Sequence, residues 1–152
     1  MRVIEYITEE VSRQGHNVFV LDGIERVGWM LDAWSYAIVE PLPGRSPTTS
    51  DVERLGKMVE RNKNMEGFRT CGVRVGSRVC PPWPEVVPQL KALLGQWSEL
   101  LPSDLYKEFE LIHPFVDGNG RTGKILLNWR NETLLDPIFP PNDLFGEWIR
   151  NP

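Results

Sequence analysis

Cysteine is scarce in this chain. Only Cys71 and Cys80 occur, in no C-x-x-C pair and with no further ligand candidates nearby, so a zinc site is not expected. The two thiols could meet across a hairpin, but reduced cysteine is the default in cytosol. Long apolar runs are missing too. The least charged stretch, Val27 to Val39, contains Asp32 and is too short to span a bilayer. Met1-Arg2-Val3-Ile4-Glu5 places charges where a secretory apolar core would have to be. These absences predict a soluble, cytoplasmic protein with no membrane partner. Massed basic charge is also lacking: 17 Lys and Arg are scattered against 21 Asp and Glu, for a net charge of −4, which disfavours a nucleic-acid partner. No repeat or low-complexity tract interrupts the 152 residues, which are enough for one compact core and too few for two.

Periodicity predicts a mainly α fold with one small β-hairpin. A first amphipathic helix runs from about Arg2 to Gln14, with Val3, Ile4, Ile7 and Val11 on one face. A second spans Asp22 to Val39, with Asp22 as N-cap and Ile24, Val27, Leu31, Trp34 and Ile38 inward. The prolines from Pro41 to Pro47 force a connector. Thr49 or Ser50 caps a third helix to about Asn62, buried through Val52, Leu55, Met58 and Val59, with Ser50 and Glu53 spaced as a capping box. Between Gly67 and Cys80, valines separated by glycines predict a hairpin turning at Gly76-Ser77. A helix from about Pro84 to Leu100 follows, with Val87, Leu90, Leu94 and Trp97 inward. Ser103 or Asp104 caps a fifth, ending before His113. Another runs from Arg121 to about Leu134 with Ile125, Leu126 and Trp129 inward, and Asn142 to Ile149 adds a short terminal helix.

The chemistry is concentrated in His113-Pro114-Phe115-Val116-Asp117-Gly118-Asn119-Gly120-Arg121-Thr122-Gly123-Lys124. Glycines at 118 and 120 free backbone N–H groups to approach phosphate, and the start of a following helix adds its positive dipole end. Asp117 can hold a divalent metal, Arg121 and Lys124 can meet phosphate charge, and His113 can deprotonate a hydroxyl. Gly118 to Lys124 also fits most of a P-loop, but Ile125 stands where Ser or Thr would bind magnesium, and the preceding segment is helical. A plainer alternative is a capped turn, with Asp117 and Asn119 as turn formers and His113 packed in the core. It suits any one of these residues better than it suits them all.

The order and spacing resemble the Fic family signature, H-x-F-x-[D/E]-G-N-G-R-x-x-R. His113, Phe115, Asp117, Gly118, Asn119, Gly120 and Arg121 match, and Lys124 replaces the last arginine. The likeness extends over roughly Thr48 to Trp129. It implies a single Fic-type helical bundle, with N-terminal helices at 1–47, the core at 48–134 and an extension at 135–152. It also implies a protein adenylyltransferase that moves AMP from ATP to a Ser, Thr or Tyr hydroxyl of a target protein. His113 would be the general base and Asp117 the Mg²⁺ ligand. Gly118, Asn119 and Gly120 would form the anion loop, with the Asn119 amide aimed at phosphate, and Arg121 and Lys124 would meet the outer phosphates. The hairpin, through Thr70, Gly72, Val73, Arg74 and Val75, would dock the target by strand addition.

Lys124 keeps the charge but loses the bidentate fork of arginine, so an altered nucleotide preference is expected. Many relatives carry an inhibitory [S/T]-x-x-x-E-[G/N] helix whose glutamate pairs with that last arginine. No convincing copy occurs here, which points to a separate inhibitory partner such as an antitoxin, or to activity that is constitutive or low. The Doc branch transfers phosphate instead, through a loop lacking the Gly-Asn-Gly-Arg run, so the intact run favours AMP transfer. A phosphotransferase, another nucleotidyl transfer and a non-catalytic binding module are the alternatives.

Overall fold

A computed structural model describes residues 2–39 and 45–141. Helices α1 (Val3–Arg13), α2 (Leu21–Val39) and α3 (Thr49–Val59) precede a two-stranded antiparallel hairpin, β1 (Arg74–Val75) and β2 (Arg78–Val79). Arg74 lies opposite Val79 and Val75 opposite Arg78, so the chain turns at Gly76-Ser77 as expected. A 3-10 turn at Trp83–Glu85 leads into α4 (Val86–Gly95), followed by α5 (Pro102–Ile112) and α6 (Asn119–Arg130). The expected terminal helix at 142–149 lies outside the described residues. Among the described residues, no helix is long and apolar enough to cross a membrane.

Helix α6 runs through the middle. Asn119, Arg121, Thr122, Gly123 and Lys124 are buried along with Ile125 to Trp129, so the helix is covered nearly all round. It packs against α5, α3 and α2. Its polar half survives burial because Asn119, Arg121, Lys124 and Asn128 meet partners outside the helix, while Thr122 Oγ1 donates to the Gly118 carbonyl at its start. The apolar core joins Tyr6, Ile7 and Val11 of α1 with Met30 and Trp34 of α2, Val52 and Leu55 of α3, Leu90 of α4, Phe109 of α5 and Ile125 of α6.

Several expectations about faces and caps are corrected. In α2 the inward residues are Gly23, Arg26, Met30, Ala33, Trp34 and Ala37, while Ile24 is 54% exposed. The helix is turned from its most apolar stripe because Arg26 must reach a buried carboxylate and Gly23 lies on the preceding turn. A Cβ at Gly23 would come within 2.0 Å of the Asn17 carbonyl oxygen. Asp22 sits inside the helix rather than at its cap. In α1, Ile4 faces outward and Glu10 inward. Helix α3 is capped by Thr48, whose hydroxyl accepts from Asp51 N–H while the Asp51 carboxylate accepts from Thr48 N–H. Glu53 instead accepts from Phe68 N–H. Helix α5 starts at Pro102 without a side-chain cap, using proline where the missing N–H costs nothing. Helix α4 ends at Gly95, with Val86 rather than Val87 in the core.

Candidate active site

The loop between α5 and α6 is locked from several sides. His113 ends α5 in a left-handed conformation (φ 52°), its N–H still bonded to the Phe109 carbonyl. The Asn119 side chain closes the loop: Oδ1 accepts from Phe115 N–H and Nδ2 donates to the Phe115 carbonyl, both at 2.9 Å. Asn64 Nδ2 adds a bond to the Asp117 carbonyl at 2.7 Å. The tip of the Phe115 ring abuts Gly56 of α3, where a Cβ would fall 2.0 Å from Cζ, and the ring stacks on Phe68. The buried Asn119 amide therefore holds the loop and is not turned toward an incoming phosphate, contrary to expectation. The backbone remains available. Gly118, at φ 75°, starts α6, and Thr122 N–H is the first to bond back to its carbonyl. The N–H groups of Asn119, Gly120 and Arg121 have no intrahelical acceptor, the arrangement that lets a helix N-terminus accept an anion.

His113 Nδ1 is buried without a hydrogen-bond partner. Burial lowers the imidazole's pKa, the Glu110 backbone opposes that shift, and Arg69 and Arg78 reinforce it. The ring is therefore neutral and able to accept a proton at pH 7. Arg69 and Arg78 hold the end of α5: Arg69 donates to the Ile112 and His113 carbonyls, and Arg78 to that of Leu111. Arg69 also donates to the Cys71 and Pro81 carbonyls at the two feet of the hairpin. One buried cation thus fixes the hairpin relative to the histidine.

Asp117 is partly exposed. Its Oδ2 accepts from Lys63 Nζ at 3.0 Å and its Oδ1 from Gly118 N–H at 2.7 Å. Burial pushes its pKa up, but Lys63, the Gly118 N–H and Arg121 outweigh this and keep the carboxyl below its usual range. Beneath it, Arg121 is 1% exposed. Its guanidinium donates to the Val59 carbonyl at 2.8 Å and to Glu60 at 3.3 Å. Glu60, fully buried, also accepts from Arg26 at 2.8 and 3.2 Å. Arg121, expected to meet the outer phosphates, is thus held here in a buried triad with Glu60 and Arg26.

Helices α1 and α6 meet through three matched rungs. Tyr6 Oη accepts from Asn128 at 3.3 Å, and Glu10 Oε2 accepts from Lys124 Nζ at 2.9 Å. Gln14 lies against Gly120, where a Cβ would come within 2.7 Å of its amide nitrogen. Both helices contribute every fourth residue, so the rungs follow from helical spacing. Lys124 is therefore buried in an ion pair, 8% exposed, and not free to bind phosphate.

A family model described as Fic/DOC family matches residues 46–130, more than half of the chain. The chain belongs to the Fic/DOC family. A probable protein adenylyltransferase of Aquifex aeolicus (strain VF5) is 40% identical over 72 residues, 41% of this chain and 22% of that protein. Two solved structures share the fold. A Fic family protein from Desulfovibrio desulfuricans G20 superposes with a TM-score of 0.66 at 16% identity, covering 86% of this chain and 48% of the other. Fic-1 of C. elegans gives a TM-score of 0.69 at 18% identity, covering 90% and 50%. The chain spans about a fifth of the curated relative's length and about half of each solved chain.

Within this Fic fold, a buried carboxylate of α1 reaches the residue at the end of the signature. Glu10 holds the residue standing at the signature's last cation, although Tyr6 and Val11 occupy the positions where the sequence pattern asks for Ser or Thr and for Gly or Asn. The expected hairpin residues Thr70, Gly72 and Arg74 are exposed, with Val73 and Val75 half-buried. Glu10, Gln14, Glu60, Lys63, Arg69 and His16 were not singled out as site residues by the sequence. The first could have been found as an acid interrupting the Ile7–Val11 stripe.

Proposed function

We propose that this chain carries the catalytic core of a protein adenylyltransferase that transfers AMP from ATP to a hydroxyl of a protein target. The observation that carries this reading is His113, whose buried, unpartnered Nδ1 and lowered pKa sit at the entry to a loop ending in open helix N–H groups. Neutral His113 takes the proton from a Ser, Thr or Tyr hydroxyl. The oxygen bonds to the α-phosphorus, the bond to the β-phosphate oxygen breaks, and pyrophosphate leaves. The N–H groups of Asn119, Gly120 and Arg121 hold phosphate oxygens. Asp117, already facing the Lys63 ammonium, suits a cation. Magnesium bound there would neutralise charge on the departing pyrophosphate.

Lys124 serves the outer phosphates only after leaving Glu10, so α1 restrains the site from within and no separate antitoxin is required for that restraint. The hairpin edge docks the target segment by main-chain pairing, registered on His113 through Arg69.

Intact-mass spectrometry of Glu10→Ala protein incubated with ATP, Mg²⁺ and cell lysate tests the reading. An AMP adduct on a protein, absent with Glu10→Ala/His113→Ala, is the expected result. A phosphate adduct would move the protein to phosphoryl transfer. Full transfer without His113 would refute the assigned base.

A further inference from the structure

His16 looks from the sequence like a surface residue in a turn, yet it is folded into the site. Its backbone N–H bonds to the Val11 carbonyl at 3.3 Å, and the Asn17 side chain accepts from Phe19 N–H, so the α1–α2 turn is well defined. Gly23 of α2 locks this turn from behind, since no side chain fits there. As a result, one ring nitrogen of His16, one oxygen of Glu60 and one of Asp117 lie within 4.8 Å of one another. Donors sharing a first-row metal lie roughly 3–4.5 Å apart, given bond lengths near 2.1 Å. The three come from the α1–α2 turn, the end of α3 and the phosphate loop. His16 Nδ1 lies 3.1 Å from Asp22 Oδ2, the arrangement in which a carboxylate orients an imidazole and leaves the other nitrogen free to ligate.

A second observation indicates that this space suits a cation: the Lys63 ammonium already sits on Asp117 at 3.0 Å, on a long and half-exposed side chain. Formal charges of Asp22, Glu60 and Asp117 balance those of Arg26, Arg121 and Lys63. A divalent ion must therefore displace Lys63 into solvent, and phosphates offset what excess charge remains.

We propose that His16 is a nitrogen ligand of the cation at Asp117, so that this site takes a first-row transition ion such as Mn²⁺ in preference to Mg²⁺. Magnesium is a hard ion that favours oxygen, whereas imidazole suits transition ions. Glu60, held by two arginines, supports the pair from below. The proposal rests on the nucleotide-site reading only for the phosphates that complete the coordination.

The test is made on the full chain without nucleotide, so it stands or falls separately from AMP transfer. Mn²⁺ is titrated and the bound ion examined by pulsed EPR for coupling to a ¹⁴N nucleus. The chain has two histidines, which makes the assignment simple. Coupling is expected in the wild type and in His113→Ala, and is expected to be lost in His16→Gln. Mn²⁺ should bind at least tenfold more tightly than Mg²⁺, and His16→Gln should erase most of that preference. Lys63→Met should tighten Mn²⁺ severalfold by removing the competing ammonium. Nitrogen coupling that survives His16→Gln, or a Mn²⁺ to Mg²⁺ preference unchanged by it, would overturn the proposal. So would failure of both wild type and Lys63→Met to bind millimolar Mn²⁺.

Discussion

Helix α6 offers two cations to two buried glutamates, one turn apart, and the two pairs are built differently. Glu60 accepts from Arg26 and Arg121 through both oxygens, and the bonds come from helices distant in sequence. Glu10 accepts from Lys124 and Gln14 through Oε2 alone, while its buried Oε1 has no partner. A buried carboxylate satisfied on both oxygens by planar guanidinium groups is fixed. One held on a single oxygen by a flexible ammonium is easier to release. The first pair supports the signature loop from below. The second occupies the lysine that the proposed function assigns to the outer phosphates. Arg121 is thus a structural lock and Lys124 a latch, though the sequence presents them as equivalent.

The largest expected effect comes from breaking the lock. Glu60→Ala leaves two buried guanidinium groups without their acceptor and should cost about 3–5 kcal/mol. Against a total stability of about 5–15 kcal/mol, that is enough to lower the urea midpoint sharply or to unfold the protein. A loss below about 1 kcal/mol would mean that water enters the triad and the two pairs are alike.

Opening the latch should do less to stability and more to binding. Glu10→Ala removes a carboxylate that already pays for an unpaired oxygen, and Lys124 can still turn toward the Tyr106 ring, whose centroid is 5.3 Å from Nζ. A cost of about 1–2 kcal/mol is expected. ATP affinity, followed by tryptophan fluorescence, should rise about tenfold, equivalent to about 1.4 kcal/mol released from the ion pair. Unchanged affinity would make Glu10 a second lock.

The same contrast explains what the sequence made legible. The signature loop was, because its residues are contiguous and their spacing is tied to local backbone needs: the glycine at 118 adopts φ 75° and His113 closes α5. The hairpin turn and the mainly helical class were legible from periodicity alone. The partners of the loop were not. Glu60 lies 61 residues from Arg121, and Glu10 lies 114 from Lys124. Nothing local in sequence announces such pairings. The inward face of α2 departs from its apolar pattern for a related reason: Arg26 counts as polar in any pattern, yet it is buried because Glu60 is there to receive it. An amide in the signature suits phosphate and so points to a ligand role for Asn119, whereas the backbone of Phe115 claims both of its polar ends.

The effect confined to one side of a pH window, and the one that best separates latch from lock, comes from Glu110. Glu110 lies behind Lys124, and burial raises its pKa from 4.5 to about 7; Lys124 opposes the rise and Glu10 adds to it. Below pH 4.5 the group is protonated whether the chain is folded or not, and it costs nothing. Above that the unfolded chain releases the proton first, so stability falls as pH rises toward 7 and then levels off, by up to about 3 kcal/mol at ~1.4 kcal/mol per pKa unit. Glu110→Gln should therefore match the wild type in urea melts near pH 4 and exceed it by about 2–3 kcal/mol at pH 8. In a Glu10→Ala background the gain should shrink, because Lys124 then serves Glu110 alone and holds it ionised at lower pH. If the gain stays the same there, Lys124 is not shared between the two carboxylates and cannot exchange one partner for another, which is the property that distinguishes it from Arg121.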